Sequence, residues 1–177
     1  MKFRKTKIAG LYIIDPELRT DERGYFARIF CKEELSKIGF DFEAVQANRS
    51  SNNKKGTIRG MHFQKPPRAE DKIVQCLRGA IYDVAVDLRK DSPTYGQWVS
   101  EELNENNKRM FLIPKGFAHG FQSLTDDSET LYFMSEFYSF EYASGVRWDD
   151  PFLNIQWPVR DPFLSEKDKN WPLIKLP

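Results

Sequence analysis

The chain is poor in the residues on which several chemistries depend. It has only two cysteines, Cys31 and Cys76, in 177 residues. That excludes a disulfide scaffold and a cysteine-built zinc site. Both lie among apolar neighbours and read as reduced core thiols. Histidine is as scarce, with only His62 and His119. Two imidazoles cannot fill a three-histidine metal site, although a site of two histidines and one carboxylate stays arithmetically open. Neither sign of charge is in excess: 27 Lys and Arg stand against 26 Asp and Glu, a net charge of +1. No nucleic-acid partner and no polybasic membrane contact is therefore expected. No apolar run is long enough to span a membrane, and the basic start from Met1 to Lys7 leads into no signal-peptide core. Repeats, low-complexity tracts and linkers are missing too. The expectation is a cytoplasmic protein with a single domain over residues 1–177.

Aromatic residues, by contrast, are plentiful, with 14 Phe, 7 Tyr and 4 Trp. They suit strand packing or ring stacking. Strands are predicted over Ile8–Ile14, Tyr25–Phe30, Thr57–Phe63, Gln97–Leu103, Met110–Ile113, Phe117–Leu124 and Glu129–Phe137. Ile73–Leu77 and Ala80–Asp87 flank Arg78-Gly79 and read as a hairpin. Lys32–Ile38 reads as a short helix stopped at Gly39, and Ser165–Asp168 as the start of another. Asn48–Gly56 is so polar that it reads as a loop. Many short strands with turn signals between them and little helix indicate an all-β sandwich or barrel. In Ala80–Asp87 the two faces differ: Ile81, Asp83, Ala85 and Asp87 share one. A face with two acids is either wet or lines a polar cavity.

The chemistry concentrates in Arg59-Gly60-Met61-His62-Phe63-Gln64, with Lys72 shortly after, and in Phe117-Ala118-His119-Gly120-Phe121. Without a metal cluster, a barrel interior of this composition works by acid/base steps. Removing a proton beside a carbonyl needs a base, a donor to hold the enolate oxygen, and an acid on the opposite face. His62 suits the base, because an imidazole titrates near ~6.5. Lys72 and His119 suit the oxygen, and Tyr132 suits the acid. Asp83 or Asp168 could orient the imidazole. Each has a plainer reading: His62 as a satisfied interior histidine, Tyr132 as a core aromatic, and Asp168 as the capping acid three residues after Ser165. Tyr138 is either core or a platform for a flat ring, and Arg23 either a solvated charge or a phosphate contact.

Together these stretches resemble the dTDP-4-dehydrorhamnose 3,5-epimerase family over nearly the whole chain. The matching pieces include Asp21-Glu22-Arg23-Gly24-Tyr25-Phe26, Gln46-Ala47-Asn48, the Arg59–Gln64 run, Lys72-Ile73-Val74, Pro114-Lys115-Gly116-Phe117-Ala118-His119-Gly120-Phe121 and Ser165-Glu166-Lys167-Asp168. The resemblance implies a cupin-type jelly-roll β-barrel with short peripheral helices, working as a homodimer without a metal or other cofactor. It implies an isomerase that epimerises a nucleotide-linked 4-keto-6-deoxy sugar at C3, C5 or both. His62 matches the base, Asp168 its carboxylate partner and Tyr132 the proton donor. Lys72 and His119 match the surroundings of the keto oxygen and sugar. Arg23, Arg59 and Lys167 match diphosphate and substrate contacts, Gln46 and Asn48 a substrate-binding segment, and Tyr138 the tyrosine stacked on the base. Arg23 would reach the site of the neighbouring subunit. Arg28, and Ala143 or Ser144, stand where the family usually has glutamates at the nucleoside end. Phe140 replaces a common proline and Phe63 a common tyrosine. These departures imply retained chemistry with an altered nucleotide or sugar preference. The competing readings are a 3,4-ketoisomerase of the same barrel type, a metal-dependent cupin dioxygenase, and a sugar-nucleotide binding module without catalysis.

Overall fold

Strands that alternate in polarity can bury one face each, and here two antiparallel sheets bury theirs against one another. This computed structural model describes residues 1–174. One sheet runs β1 (Lys2–Lys5), β2 (Tyr12–Asp15), β10 (Met110–Ile113), β7 (Lys72–Arg78), β12 (Ser128–Met134) and β5 (Gln46–Asn52). The other runs β13 (Ala143–Gly145), β6 (Ile58–Gln64), β11 (Phe117–Ser123), β8 (Ala80–Asp87) and β9 (Trp98–Asn104). A separate two-stranded arm, β3 (Arg19–Asp21) and β4 (Gly24–Phe26), stands exposed along its length. The helices are short, α1 (Lys32–Ser36) and α2 (Glu166–Lys169). The result is an all-β jelly roll of the cupin type. Among the described residues no helix is long and apolar enough to cross a membrane.

Side-chain alternation sorts the apolar residues into three layers. Ile13, Val74, Cys76, Ile81, Ala85, Phe111 and Phe121 meet between the sheets. Their chain neighbours point the other way. Ile14, Ile73, Met110 and Leu112 pack outside the six-stranded sheet against Leu35 and Phe42. Val84, Val86 and Met61 pack outside the five-stranded sheet, under Leu153 and Ile155 of the C-terminal segment. Burying such side chains is worth ~1.5–3 kcal/mol each, so all three layers stabilise the sandwich.

The elements depart from the sequence reading in informative places. The first predicted strand begins only at Tyr12, because Ile8 to Gly10 turn back, with Leu11 N–H donating to the Ile8 carbonyl at 3.2 Å. The second stops at Phe26, and the last predicted strand at Met134. Arg78-Gly79 is not a hairpin turn: β7 pairs with β10 and β12, while β8 pairs with β11 and β9. At Gly79 the chain instead crosses from one sheet to the other.

The predicted polar loop over Asn48–Gly56 is strand as far as Asn52, within β5, and is loop only from Asn53 to Gly56. β5 is an edge strand whose side chains alternate between part-buried and exposed as far as Asn52, which is buried. Gln46, Asn48 and Ser50 face inward, so its inner face is polar rather than apolar. That is why hydrophobic periodicity missed it.

Neither acid on the shared face of β8 is wet. Asp87 is fully buried. It accepts from Arg89 Nη2 at 2.7 Å, Ser92 Oγ at 2.6 Å and Thr94 Oγ1 at 2.7 Å, closing the turn before β9. Burial alone would raise its pKa, but these bonds outweigh burial and hold it down at about 2. A depressed carboxylate stabilises the fold above its unfolded pKa and loses that contribution as pH falls through the folded one. We expect Asp87→Asn to cost about 2 kcal/mol at neutral pH. In denaturant titrations the gap to wild type should be full above about pH 4 and close towards pH 2. A gap that does not change with pH would contradict this account.

Candidate active site

In a regular strand, residues three apart face opposite ways, so Arg59 and His62 of β6 should not share a cavity. They do share one because β6 carries an extra residue. Across the pair with β11, His119 stands opposite His62 and Phe121 opposite Arg59, so two steps on β11 match three on β6. Gly60 sits in this irregularity with φ of +133°. A Cβ there would lie 2.5 Å from Gly120 Cα and 2.9 Å from the His119 carbonyl, so only glycine lets the strands approach. Met61 then turns outward into the outer layer. Arg59 and His62 both turn inward.

His62 Nε2 lies 2.6 Å from Asp168 Oδ1. Asp168 comes 106 residues later and is delivered by the C-terminal segment. That segment is tied to β6 where Ile58 N–H donates to the Phe163 carbonyl at 2.9 Å. Ser165 caps α2, its Oγ accepting from Asp168 N–H at 3.1 Å. The cap is thus Ser165, not the Asp168 carboxylate: Asp168 gives Ser165 only its backbone N–H, and its side chain turns to the imidazole. Trp171 Nε1 donates to the same oxygen at 3.2 Å, and its ring meets His62 edge-on at 6.0 Å. Burial works against the Asp168 anion, yet the bonds from His62, Trp171 and the Gly60 N–H hold its pKa below the usual carboxylate range. An anionic partner on Nε2 fixes the proton there and leaves the Nδ1 lone pair for the cavity.

Asp83, the other candidate orienter, belongs to the second histidine. His119 Nε2 lies 2.5 Å from Asp83 Oδ1, and Asp83 is fully buried on β8. Two imidazole–carboxylate pairs thus stand side by side on neighbouring strands.

The facing sheet supplies the rest. Tyr132 on β12 lines the same space as His62, and burial raises its phenol pKa, against the charge of Arg59. Lys72 opens β7 with its side chain buried; its Nζ lies 3.0 Å from Glu70 Oε1 and donates to the His62 carbonyl at 3.3 Å. His62, Lys72 and Tyr132 line both a cavity of about 340 Å³ and a smaller one of about 170 Å³ that also holds Arg59, His119 and Asp168. Arg59 Nε donates to Asn52 Oδ1 at 2.7 Å.

The larger cavity extends along Gln46, Asn48, Tyr138, Lys167 and Trp171. Gln46 and Gln64 carry its rim: Gln46 Oε1 accepts from Tyr138 N–H at 3.1 Å, and Gln64 Oε1 from Ser139 N–H at 2.6 Å. Tyr138 is half exposed there, with its ring free for stacking. Lys167 Nζ lies over the Trp171 ring at 5.2 Å. A wider, mostly apolar cavity of about 800 Å³ lies behind Phe63, Gln64 and Ser144, but none of the acid/base residues lines it. Among the described residues no group of three His, Cys, Asp or Glu side chains is arranged to hold a metal ion.

Two candidates stand apart. Arg23 lies on the exposed arm, paired with Asp21 at 2.5 Å, and lines neither of the two site cavities. Arg28 pairs with Glu34 at 2.6 Å, also away from the site. Ala143 and Ser144, by contrast, line the larger cavity. The sequence reading missed Trp171 and Glu70. Trp171 lies just past the end of α2, where no helical spacing links it to Asp168.

An antiparallel barrel whose interior presents an oriented imidazole, a protonated phenol and a buried ammonium is an acid/base enzyme of the cupin class. The family model for dTDP-4-dehydrorhamnose 3,5-epimerase matches residues 5–175. A dTDP-4-dehydrorhamnose 3,5-epimerase of Methanothermobacter thermautotrophicus is 47% identical, covering 99% of this chain and 96% of its own. The Bacillus anthracis enzyme of that name, solved with TDP and pyrophosphate, superposes with a TM-score of 0.95 at 46% identity, covering 98% of this chain and 99% of its own. A Legionella pneumophila epimerase in complex with dTDP-4-keto-L-rhamnose gives 0.92 at 40% identity over 97% and 92% of the two chains. The chain belongs to the dTDP-4-dehydrorhamnose 3,5-epimerase family.

Asp168→Asn tests the orientation without any substrate. A carboxamide can donate to Nε2, which would move the imidazole proton to Nδ1. Nitrogen NMR of His62 should show the Nε2–H tautomer in wild type and Nδ1–H in the variant. An unchanged tautomer would remove Asp168 from this function.

Proposed function

We propose that this isomerase epimerises a 4-keto-6-deoxy sugar linked to dTDP or a related nucleotide, at C3, C5 or both. The observation that carries the reading is an oriented imidazole and a protonated phenol, on opposing sheets, lining one cavity. His62 Nδ1 takes the proton from the carbon beside the C4 ketone, and the imidazolium is stabilised by Asp168. The developing enolate oxygen receives a hydrogen bond from Lys72, whose ammonium has three donors and two protein partners. Tyr132 gives its proton to the other face of the carbon. A phenol is protonated at neutral pH even without burial; burial raises its pKa further, so it yields the proton only to a strongly basic acceptor such as the enolate carbon. His119, held by Asp83, and Arg59 bind the sugar and phosphates in the smaller cavity. Gln46, Asn48, Lys167 and Tyr138 hold the nucleotide in the larger one. Ala143 and Ser144 leave its nucleoside end lined by small groups, so nucleotide preference is where this chain departs from its relatives.

The working unit is a homodimer in which Arg23 serves the partner's site. The arm that carries it exposes Tyr25 by 56% and Phe26 by 66%, more than a free hairpin should leave in water.

Solvent-deuterium incorporation measures the chemistry. His62→Ala should abolish label uptake while retaining substrate binding. Tyr132→Phe should still exchange C–H but fail to invert; intact inversion would remove Tyr132 as the donor. Running the wild type with dTDP-, CDP-, GDP- and UDP-linked substrates reads the nucleotide preference, and full efficiency with dTDP alone would remove the proposed departure. For the dimer, Arg23→Ala and His62→Ala should each inactivate, yet mixing the two should restore part of the activity through sites built from complementary chains. No recovery after subunit exchange would place Arg23 outside the partner's site.

A further inference from the structure

The mechanism leaves one buried anion only half used. Glu70 is 6% exposed, and its Oε1 holds Lys72 Nζ at 3.0 Å. Its other oxygen, Oε2, is buried with no hydrogen-bond partner among the described residues. Glu70 nevertheless lines the larger cavity together with Lys72 and His62. A buried carboxylate oxygen without a donor is costly, so it marks a place where a donor is missing.

The mount is rigid. Next to it, Asp71 Oδ1 accepts from Lys115 N–H at 2.8 Å, and Asp71 N–H donates to Ser135 Oγ at 2.7 Å. On the other side Gln64 Nε2 donates to the Arg68 carbonyl at 2.9 Å. Glu70 therefore sits between tied neighbours, with Oε1 on Lys72.

The chemistry of the pair says what fits. Lys72 offers a donor and Glu70 an acceptor, side by side. A 4-keto-6-deoxy sugar offers the complement: an acceptor, the C4 oxygen, beside a donor, the C3 hydroxyl. On the other flank of the ketone, C5 carries a methyl group and the ring oxygen, neither of which can donate. Resting on the epimerase reading above, we infer that Glu70 is a specificity-determining residue whose Oε2 accepts a hydrogen bond from the C3 hydroxyl. Oε1 meanwhile keeps Lys72 on the neighbouring ketone oxygen. The contact orients C3 towards His62 and does nothing directly for C5.

Glu70→Gln separates this from a merely structural role. The amide oxygen can still hold Lys72, while a donor replaces the acceptor that faces the hydroxyl. Deuterium entry at C3 should slow about 10- to 100-fold relative to C5, the scale of one hydrogen bond to a charged group. Equal slowing at both carbons would mean that Glu70 acts only through Lys72, since both enolates share the C4 oxygen. Equal slowing, no slowing, or slowing confined to C5 would each overturn the inference.

A second measurement needs no variant. Calorimetry on the wild type should show dTDP-3,6-dideoxy-D-glucose binding about 10- to 100-fold more weakly than dTDP-6-deoxy-D-glucose. Equal affinity overturns the inference. This comparison also decides if Glu70→Gln does not fold or if the wild type exchanges at one carbon only. A wild type that takes up no label at either carbon would instead sink the epimerase reading itself, and the inference with it.

Discussion

One surplus residue in β6 makes the site. Without it, Arg59 and His62 would point to opposite faces of the sheet, and the imidazole or the guanidinium would lie among Val84, Val86 and Leu153 outside. With it, both look into the space between the sheets, opposite His119 and Phe121. The irregularity needs a residue that tolerates φ of +133° and a neighbouring strand within touching distance. Gly60 meets both needs, with Gly120 as its counterpart. Their conformational freedom has a cost in a sheet, and the cavity is what that cost supports.

Around that point, charge is distributed by burial. Each histidine has its own carboxylate, Asp168 for His62 and Asp83 for His119. Lys72 has Glu70. Buried ions tolerate a low-dielectric wall only when paired, so a barrel that works by proton transfer must bring its counter-ions with it. The pairs also divide the labour. One face of the cavity carries imidazoles and a guanidinium from β6 and β11. The other carries a phenol and an ammonium from β12 and β7. A flat substrate between the sheets meets different chemistry on its two faces, which is what inversion at carbon requires.

Much of this was legible in the residues, and the failures have physical causes. The apolar runs of β2, β7, β8, β10 and β11 are clear because each buries apolar side chains on both faces of a sheet. β5 from Asn48 on was read as a loop because its inner face serves the cavity instead of the core, so function had erased the hydrophobic signal. The supposed hairpin at Arg78-Gly79 failed because a short connection is compatible both with pairing and with a corner between sheets. Of the site, His62, His119, Lys72 and Tyr132 could be named from residue type, whereas strand phase would have set Arg59 and His62 on opposite faces. On residue pattern alone the partner of His62 stays open between Asp83 and Asp168, since no local pattern spans 106 positions; the family resemblance points to Asp168. Glu70 gave no signal at all: an acid in a Pro- and charge-rich turn looks solvated until its neighbours are placed in space.

The C-terminal segment has a temporal consequence. Among the described residues all thirteen strands precede Asp168. During synthesis those strands emerge from the ribosome before the carboxylate that gives His62 its tautomer. The base can therefore be directed only once α2 has been made, however early the strands around it pair.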